Sequence, residues 1–204
     1  MRWAVLVGGT GSNLAAILES GLNVALVVSH RAGVGALAIA ERWGVETEVI
    51  TAKAFPDRAE YDRALLRTLK QHDIEAVALA GFLRWLQQET IQALPGRLLN
   101  LHPSLLPAYT GLHAIERAFQ DRVWWTGVSV HFVDEGHDTG PLVAQAPVKR
   151  YPDDTLEDLE ARIHTMEHQL YPRVLAAVDR GEVWLQGREV HYKEGASSWI
   201  HGHF

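Results

Sequence analysis

The chain contains no cysteine. Disulfides, thiolate metal sites and cysteine nucleophiles are thereby excluded, and thiols carry no information on the redox compartment. It lacks any apolar run approaching membrane-spanning length, and it has no internal repeat and no low-complexity linker. An excess of positive charge is missing too. Lys plus Arg number 19 against 25 Asp plus Glu, a formal net charge of -6, which argues against a general nucleic-acid binder and leaves small anionic ligands to local sites. The first residues run directly into a strand pattern from Trp3 to Val7, without a basic leader and long apolar core, so a cytoplasmic protein is expected.

What is present suits a single domain. A chain of 204 residues with 47% hydrophobic content can fill a sizeable core. Trp3 to Val7 reads as a buried strand, Gly8-Gly9-Thr10-Gly11 as a turn, and Ser12 to Ser20 as a helix with Leu14, Ile17 and Leu18 on one face. Val24 to Ser29 is a second strand, Val34 to Trp43 a helix stopped by Gly44, and Glu46 to Ile50 a third strand. Asp57 to Gln71 carries Tyr61, Leu65, Leu66 and Leu69 at helical spacing. Ala76 to Ala80 is a continuous apolar strand, and helical Gln88 to Leu94 leads through Pro95-Gly96 to a strand at Leu98 to Leu101. This alternation predicts an α/β fold with a doubly wound, mostly parallel sheet and ligands at the carboxyl ends of its strands.

The rhythm changes after Pro107. A helix around His113 to Gln120 precedes two longer strands, Thr126 to Val133 and Leu142 to Lys149, expected to form an antiparallel pair. From Thr155, the residues Leu156, Leu159, Ile163, Met166, Leu170 and Val174 keep steps of three and four, which predicts a long late helix. Asp158 supports its start, and Pro172 is expected to kink it or loosen a turn. Beyond Gly181 lie short strand-like pieces and a tail, frayed at Ser197 to Phe204, in which His201 and His203 are adventitious metal ligands at most.

Two short segments carry chemistry. Asn100 and His102 are alternate residues in Asn100-Leu101-His102-Pro103-Ser104-Leu105-Leu106-Pro107, so in a strand they share one side. An amide N–H and a protonated imidazole can both donate to a carbonyl oxygen that gains negative charge. Asp138, in Asp134-Glu135-Gly136-His137-Asp138-Thr139-Gly140, is the acid expected to keep that imidazole charged. At the other end of the chain, Gly8-Gly9-Thr10-Gly11-Ser12-Asn13 joins a first strand to a first helix, so its backbone N–H groups suit an anion. It has neither the terminal Lys of a P-loop nor the G-x-G-x-x-G spacing, and a tight turn explains its glycines equally well.

These blocks together resemble the folate-dependent phosphoribosylglycinamide formyltransferases nearly end to end. The similarity runs through Gly11-Ser12-Asn13-Leu14, Ala80-Gly81-Phe82-Leu83-Arg84, the Asn100 to Pro107 octet, Val130 to Gly136 with Asp138-Thr139-Gly140-Pro141, and Glu167-His168 with Leu170-Tyr171-Pro172. The resemblance implies formyl transfer from 10-formyltetrahydrofolate to the amine of 5-phosphoribosylglycinamide, without a metal, by a monomer or homodimer. It implies a phosphate-binding half at about 1–100, a folate and catalytic half at about 100–190, and a tail at 191–204. Asn100, His102 and Asp138 would be catalytic. Gly11, Ser12 and Asn13 would hold the substrate phosphate, and Glu167, with neighbours His164, Thr165 and Met166, its ribose. Leu83, Arg84, Trp85 and Leu86, with Asn100 and the run Asp134, Glu135, Gly136, His137 and Asp138, would line the folate site. Arg58 would meet the folate's anionic tail; without the resemblance it reads as a solvated surface charge.

Rival readings follow from the same residues. His164-Thr165-Met166-Glu167-His168 spells the zinc pattern H-x-x-E-H of a metallopeptidase. Another formyltetrahydrofolate-using enzyme, a hydrolase or a tRNA formyltransferase, is disfavoured by chain length, and a non-catalytic nucleotide sensor by the presence of all three catalytic candidates. Two residues depart from the family pattern. His137 is expected to compete for Asp138 or add a second titrating group, and the indole of Trp85 is expected to fill core volume rather than stack on a ligand.

Overall fold

The structure, a computed structural model, describes residues 1–196 and Ser198. The expectation of a frayed tail therefore falls, for Ser197 and residues 199–204, outside the described residues, as do His201 and His203. The chain divides into two units, Met1–Asn100 and Leu101–Phe204.

The first unit alternates strand and helix in the order β1 (Trp3–Val7), α1 (Ser12–Glu19), β2 (Val24–Ser29), α2 (Gly35–Arg42), β3 (Glu46–Val49), α3 (Arg58–Gln71), β4 (Ala76–Ala80), α4 (Gln88–Ala93) and β5 (Leu98–His102). Its strands lie in the order β3-β2-β1-β4-β5, and the pairings between neighbours are parallel. The strands β1 and β4 are buried at every residue, which is why they read as unbroken apolar runs: a parallel strand covered on both faces has no solvent side to mark with polar residues. Helix α3 starts where Asp57 caps it, its carboxylate accepting from the Glu60 N–H at 2.8 Å. It buries Tyr61, Leu65, Leu66 and Leu69 at the predicted spacing.

In the second unit the end of β5 is followed by α5 (Ala114–Gln120), β6 (Trp125–Phe132), β7 (Leu142–Lys149), α6 (Leu156–Asp179), β8 (Val183–Gln186) and β9 (Glu189–Tyr192). The pair β6 and β7 is antiparallel, as expected, with a register shift between Val130 and His131. Helix α6 opens on a full capping box: the Thr155 hydroxyl accepts from the Asp158 N–H, and the Asp158 carboxylate accepts from the Thr155 N–H at 2.9 Å. It continues for 24 residues through Pro172. Pro172 is buried and does not end the helix; its ring removes the one N–H that would have bonded a turn back. The strand-like pieces of the tail are a hairpin, β8 with β9, whose two-residue turn begins at Gly187 with φ 63°, a position that demands glycine.

Among the described residues, no helix is long and apolar enough to cross a membrane.

Candidate active site

The glycine loop is shaped by close packing. Gly11 has φ 89° and caps α1 without any side-chain bond. A Cβ there would sit 2.6 Å from the Ala36 Cα, and one on Gly35 would sit 2.7 Å from the Thr10 carbonyl oxygen. The Ala36 N–H also donates to the Gly9 carbonyl at 3.3 Å. The glycines thus let the loop lie against the start of α2, and the first turn of α1 begins at Ser12 with backbone amides that no side chain caps. Ser12 is exposed and Asn13 half-buried. The tight-turn reading and the anion reading of this loop are compatible, because the turn is what presents the amides.

After β4, Gly81 turns the chain with φ 71° into the segment Leu83 to Leu86. Leu86 is buried, whereas Leu83 is 58% and Trp85 53% exposed. The expectation that Trp85 fills core volume is overturned: the chain leaves the sheet here, and its indole lies in solvent reach. The guanidinium of Arg58, at the start of α3, stands 5.1 Å above the ring, a cation–π contact. Arg84, between them in sequence, is exposed. An exposed aliphatic side chain, an exposed indole and two arginines suit a flat aromatic ligand with an anionic tail. On the folate assignment that the resemblance implies for this segment, Trp85→Ala is expected to raise the folate KM about threefold to fivefold through loss of a contact of about 0.5–1 kcal/mol, with kcat little changed, in steady-state assays.

This segment is anchored by a residue the sequence reading passed over. Asp62 is 2% exposed; its carboxylate accepts from the Gln87 N–H at 3.0 Å and the Thr90 hydroxyl at 2.6 Å. Burial raises its pKa, opposed by the bonds from Thr90 and Gln87. The folded state therefore holds the proton longer than the unfolded one, and this group's contribution to stability falls as pH rises past its ordinary value. Asp62→Asn, which keeps an acceptor for Gln87, is expected to be near neutral at pH 7. Asp62→Ala, which strands a buried N–H and hydroxyl, is expected to cost about 1–3 kcal/mol in urea unfolding. The signal was available: a carboxylate three and four residues before Leu65 and Leu66 lies on an apolar helix face.

In the second unit His102, 5% exposed, ends β5. Its Nε2–H donates to the Tyr109 carbonyl at 2.8 Å, since a carbonyl only accepts, and its Nδ1 lies 3.4 Å from Asp138 Oδ2. The same Oδ2 accepts from the Gly111 N–H at 2.8 Å. Asp138 Oδ1 lies 3.7 Å from Nε2 of His131, a residue named in the sequence only as part of a block. Burial pushes the Asp138 carboxyl up, but the His131 bond, the Gly111 N–H and the charges of His102 and His131 outweigh it and hold the group down at about 2. The acid is thus an anion between two imidazoles. Tyr109, His113 and Asp138 have positive φ, 54°, 58° and 53°, backbone conformations that L residues seldom adopt. The loop before them is held by Ser129, whose hydroxyl donates to the Ser104 carbonyl at 2.6 Å and accepts from the Leu106 N–H at 3.0 Å.

The other candidates fall into three groups. Asn100 is half-buried on β5, in register with Leu79, two residues before His102 and so on its side of the strand. Asp134 shapes its own loop, accepting from the Gly136 N–H at 3.0 Å and the Thr139 hydroxyl at 2.8 Å, while Glu135, Gly136 and His137 are exposed. Glu167 is 4% exposed and lies 2.8 Å from Nδ1 of His164, whose pKa is raised chiefly by that bond. Thr165 turns its hydroxyl back to the Ala161 carbonyl at 2.8 Å, and Met166 is half-buried. Among the described residues no group of three or more His, Asp or Glu is placed to hold a metal ion, so the H-x-x-E-H spacing of α6 does not assemble a zinc site there.

The sequence matches the family described as formyl transferase over residues 1–175. The chain belongs to the formyl transferase family. The phosphoribosylglycinamide formyltransferase of Bacillus subtilis (strain 168) is 36% identical over 191 residues, which cover 89% of this chain and 98% of that one. The trifunctional purine biosynthetic protein adenosine-3 of Drosophila melanogaster is 43% identical over 188 residues, 88% of this chain and 14% of that much longer one. The crystal structure of glycinamide ribonucleotide transformylase 1 from Symbiobacterium toebii superposes with a TM-score of 0.92 at 38% identity, covering 95% of this chain and 94% of that one. A formyl transferase of this family takes 10-formyltetrahydrofolate as co-substrate.

The residue this formyl transferase hides best from sequence reading is His131. Its signal was Ser129 and His131, alternate polar residues on an otherwise apolar strand, the same spacing that singled out Asn100 and His102.

Proposed function

We propose that this protein transfers the formyl group of 10-formyltetrahydrofolate to the amine of 5-phosphoribosylglycinamide, yielding formylglycinamide ribonucleotide and tetrahydrofolate in purine biosynthesis. The observation that carries the proposal is the buried His102 beside the ionised Asp138, on a strand that also bears Asn100, in a chain of the formyl transferase family. The neutral amine attacks the formyl carbon, a C–N bond forms, and the carbonyl oxygen becomes an oxyanion. Asn100 and His102 donate to that oxygen. For His102 this means exchanging the Tyr109 carbonyl for the substrate oxygen at Nε2. The bond from the formyl carbon to N10 then breaks as a proton lost by the amine reaches N10. His102 supplies it, and Asp138, ionised throughout, holds the imidazole and positions a relaying water.

In this reading Gly11, Ser12 and Asn13 bind the phosphate through backbone amides, and Glu167, with His164, Thr165 and Met166 beside it, binds the ribose. Arg58, Arg84 and the segments Leu83 to Leu86 and Asp134 to Asp138 bind the folate. We assign the reaction to the whole chain, 1–204, acting as one formyltransferase domain in the cytoplasm as a monomer or homodimer. The decisive experiment offers purified protein 10-formyltetrahydrofolate with and without 5-phosphoribosylglycinamide and follows tetrahydrofolate. Acceptor-dependent product is expected. Product formed equally without acceptor would make the protein a hydrolase, and none in either case would make it a binding module.

A further inference from the structure

His30 follows the last residue of β2 and has no place in the chemistry above. It is 4% exposed. Its Nδ1 lies 3.1 Å from the carbonyl of Val7, the final residue of β1, and must carry the proton because a carbonyl only accepts. The backbone N–H of His30 donates to the same carbonyl at 3.4 Å. A Cβ added to Gly8 would lie 1.9 Å from the His30 Cε1 and 2.7 Å from its Nδ1. Gly8 is not among the glycines of positive φ, so the close approach of its neighbours requires the glycine: the imidazole first and then the Gly81 carbonyl oxygen, 2.9 Å from the same Cβ. The imidazole and the Phe82 ring also form a T-shaped pair, with centroids 5.1 Å apart and planes at 85°. Phe82 is the residue that leads into Leu83 to Leu86.

One imidazole thus touches the start of the glycine loop and the start of the folate segment, by a hydrogen bond in one case and a ring contact in the other. We propose that His30 is a positioning residue that holds both loops in register, the Nδ1–H setting the glycine loop and the ring setting the 82–86 segment. Burial lowers its pKa, opposed by the Val7 bond and helped by the charges of Arg31 and Arg84. Nothing in this assignment makes His30 touch a substrate. It acts through Gly8 and Phe82, and it rests on the proposed roles of the two loops.

Two substitutions separate the two contacts. His30→Asn places an amide N–H where Nδ1 stood, because both nitrogens are bonded to Cγ, but removes the edge that meets Phe82. His30→Leu keeps much of the volume and removes the donor. In steady-state assays His30→Leu is expected to raise both KM values about fivefold, the loss of one ordinary hydrogen bond's worth of order in the glycine loop and of ring contact in the folate segment. His30→Asn is expected to return the phosphoribosylglycinamide KM to within about twofold of the wild type while the folate KM stays raised. Val27→Ala, a buried change in the same strand, controls for general destabilisation and is expected to lower the melting temperature without moving either KM. The assignment is overturned if both variants leave both KM values unchanged, if Asn restores neither or both, or if Val27→Ala reproduces the pattern. Turnover by the wild type, measured alongside, tests the functional reading separately from these ratios.

Discussion

His102→Ala is expected to lower kcat/KM with 5-phosphoribosylglycinamide by on the order of a hundredfold to a thousandfold, the usual consequence of deleting one preorganised donor to an oxyanion. The fall should appear mainly in kcat, because the donor acts on charge that develops only in the transition state. Asp138→Asn should approach the same loss by another route. It leaves an acceptor for Gly111 but removes the anion between His102 and His131. The carboxyl's depressed pKa sets the pH behaviour. A folded value of about 2, below an unfolded value near ~3.9, means that Asp138 contributes stability above the unfolded value and loses it as pH falls through about 2. The wild-type acid limb of kcat/KM should therefore show no carboxylate step near pH ~4. A step there that vanishes in Asp138→Asn would contradict this account, as would a His102→Ala enzyme within tenfold of wild type.

Gly140→Ala is expected to cost about 3 kcal/mol or more in urea unfolding, near the upper end for single substitutions. A Cβ at Gly140 would fall 1.7 Å from the Phe132 carbonyl oxygen and 3.2 Å from Nδ1 of His131. The colliding atom is backbone. It cannot swing aside, because the Phe132 N–H is bonded to the Pro141 carbonyl at 2.9 Å, closing the end of the β6–β7 pair. The strand must shift, and His131 and Asp138 with it, so activity should fall further than stability alone explains. Gly9→Ala is the control: a Cβ there meets nothing within 4 Å, and less than about 0.5 kcal/mol is expected. Similar unfolding midpoints for the two variants would refute the close approach.

The different behaviour of these two glycines marks how far the sequence could be read. Gly9 and Gly140 are indistinguishable as letters in turns. The backbone of Phe132 lies against Gly140 beside a register shift between Val130 and His131, and an irregularity of this kind re-aims side chains without changing the alternation that predicts the strand. His131, on β6, reaches Asp138, whereas in the sequence His137 is the histidine adjacent to Asp138. Trp85 is the residue whose placement differs from expectation. An indole in an apolar segment is buried if the segment stays in the sheet, but Gly81 turns the chain out, which leaves Trp85 exposed beneath Arg58.

Local chemistry acting over a few residues was legible. Apolar periodicity, the start of the late helix at Thr155 and Asp158 and the alternation of Asn100 with His102 depend on neighbours one to four positions away, and they determined the elements, the parallel α/β order and the strand that bears the candidate chemistry. The tertiary structure alone decided which charges meet. Asp138 stands 36 residues from His102 in sequence and 3.4 Å from it in space. Its ionisation follows from burial set against two imidazoles and one backbone amide, and distances between segments far apart in the chain are fixed by packing, which no local pattern encodes.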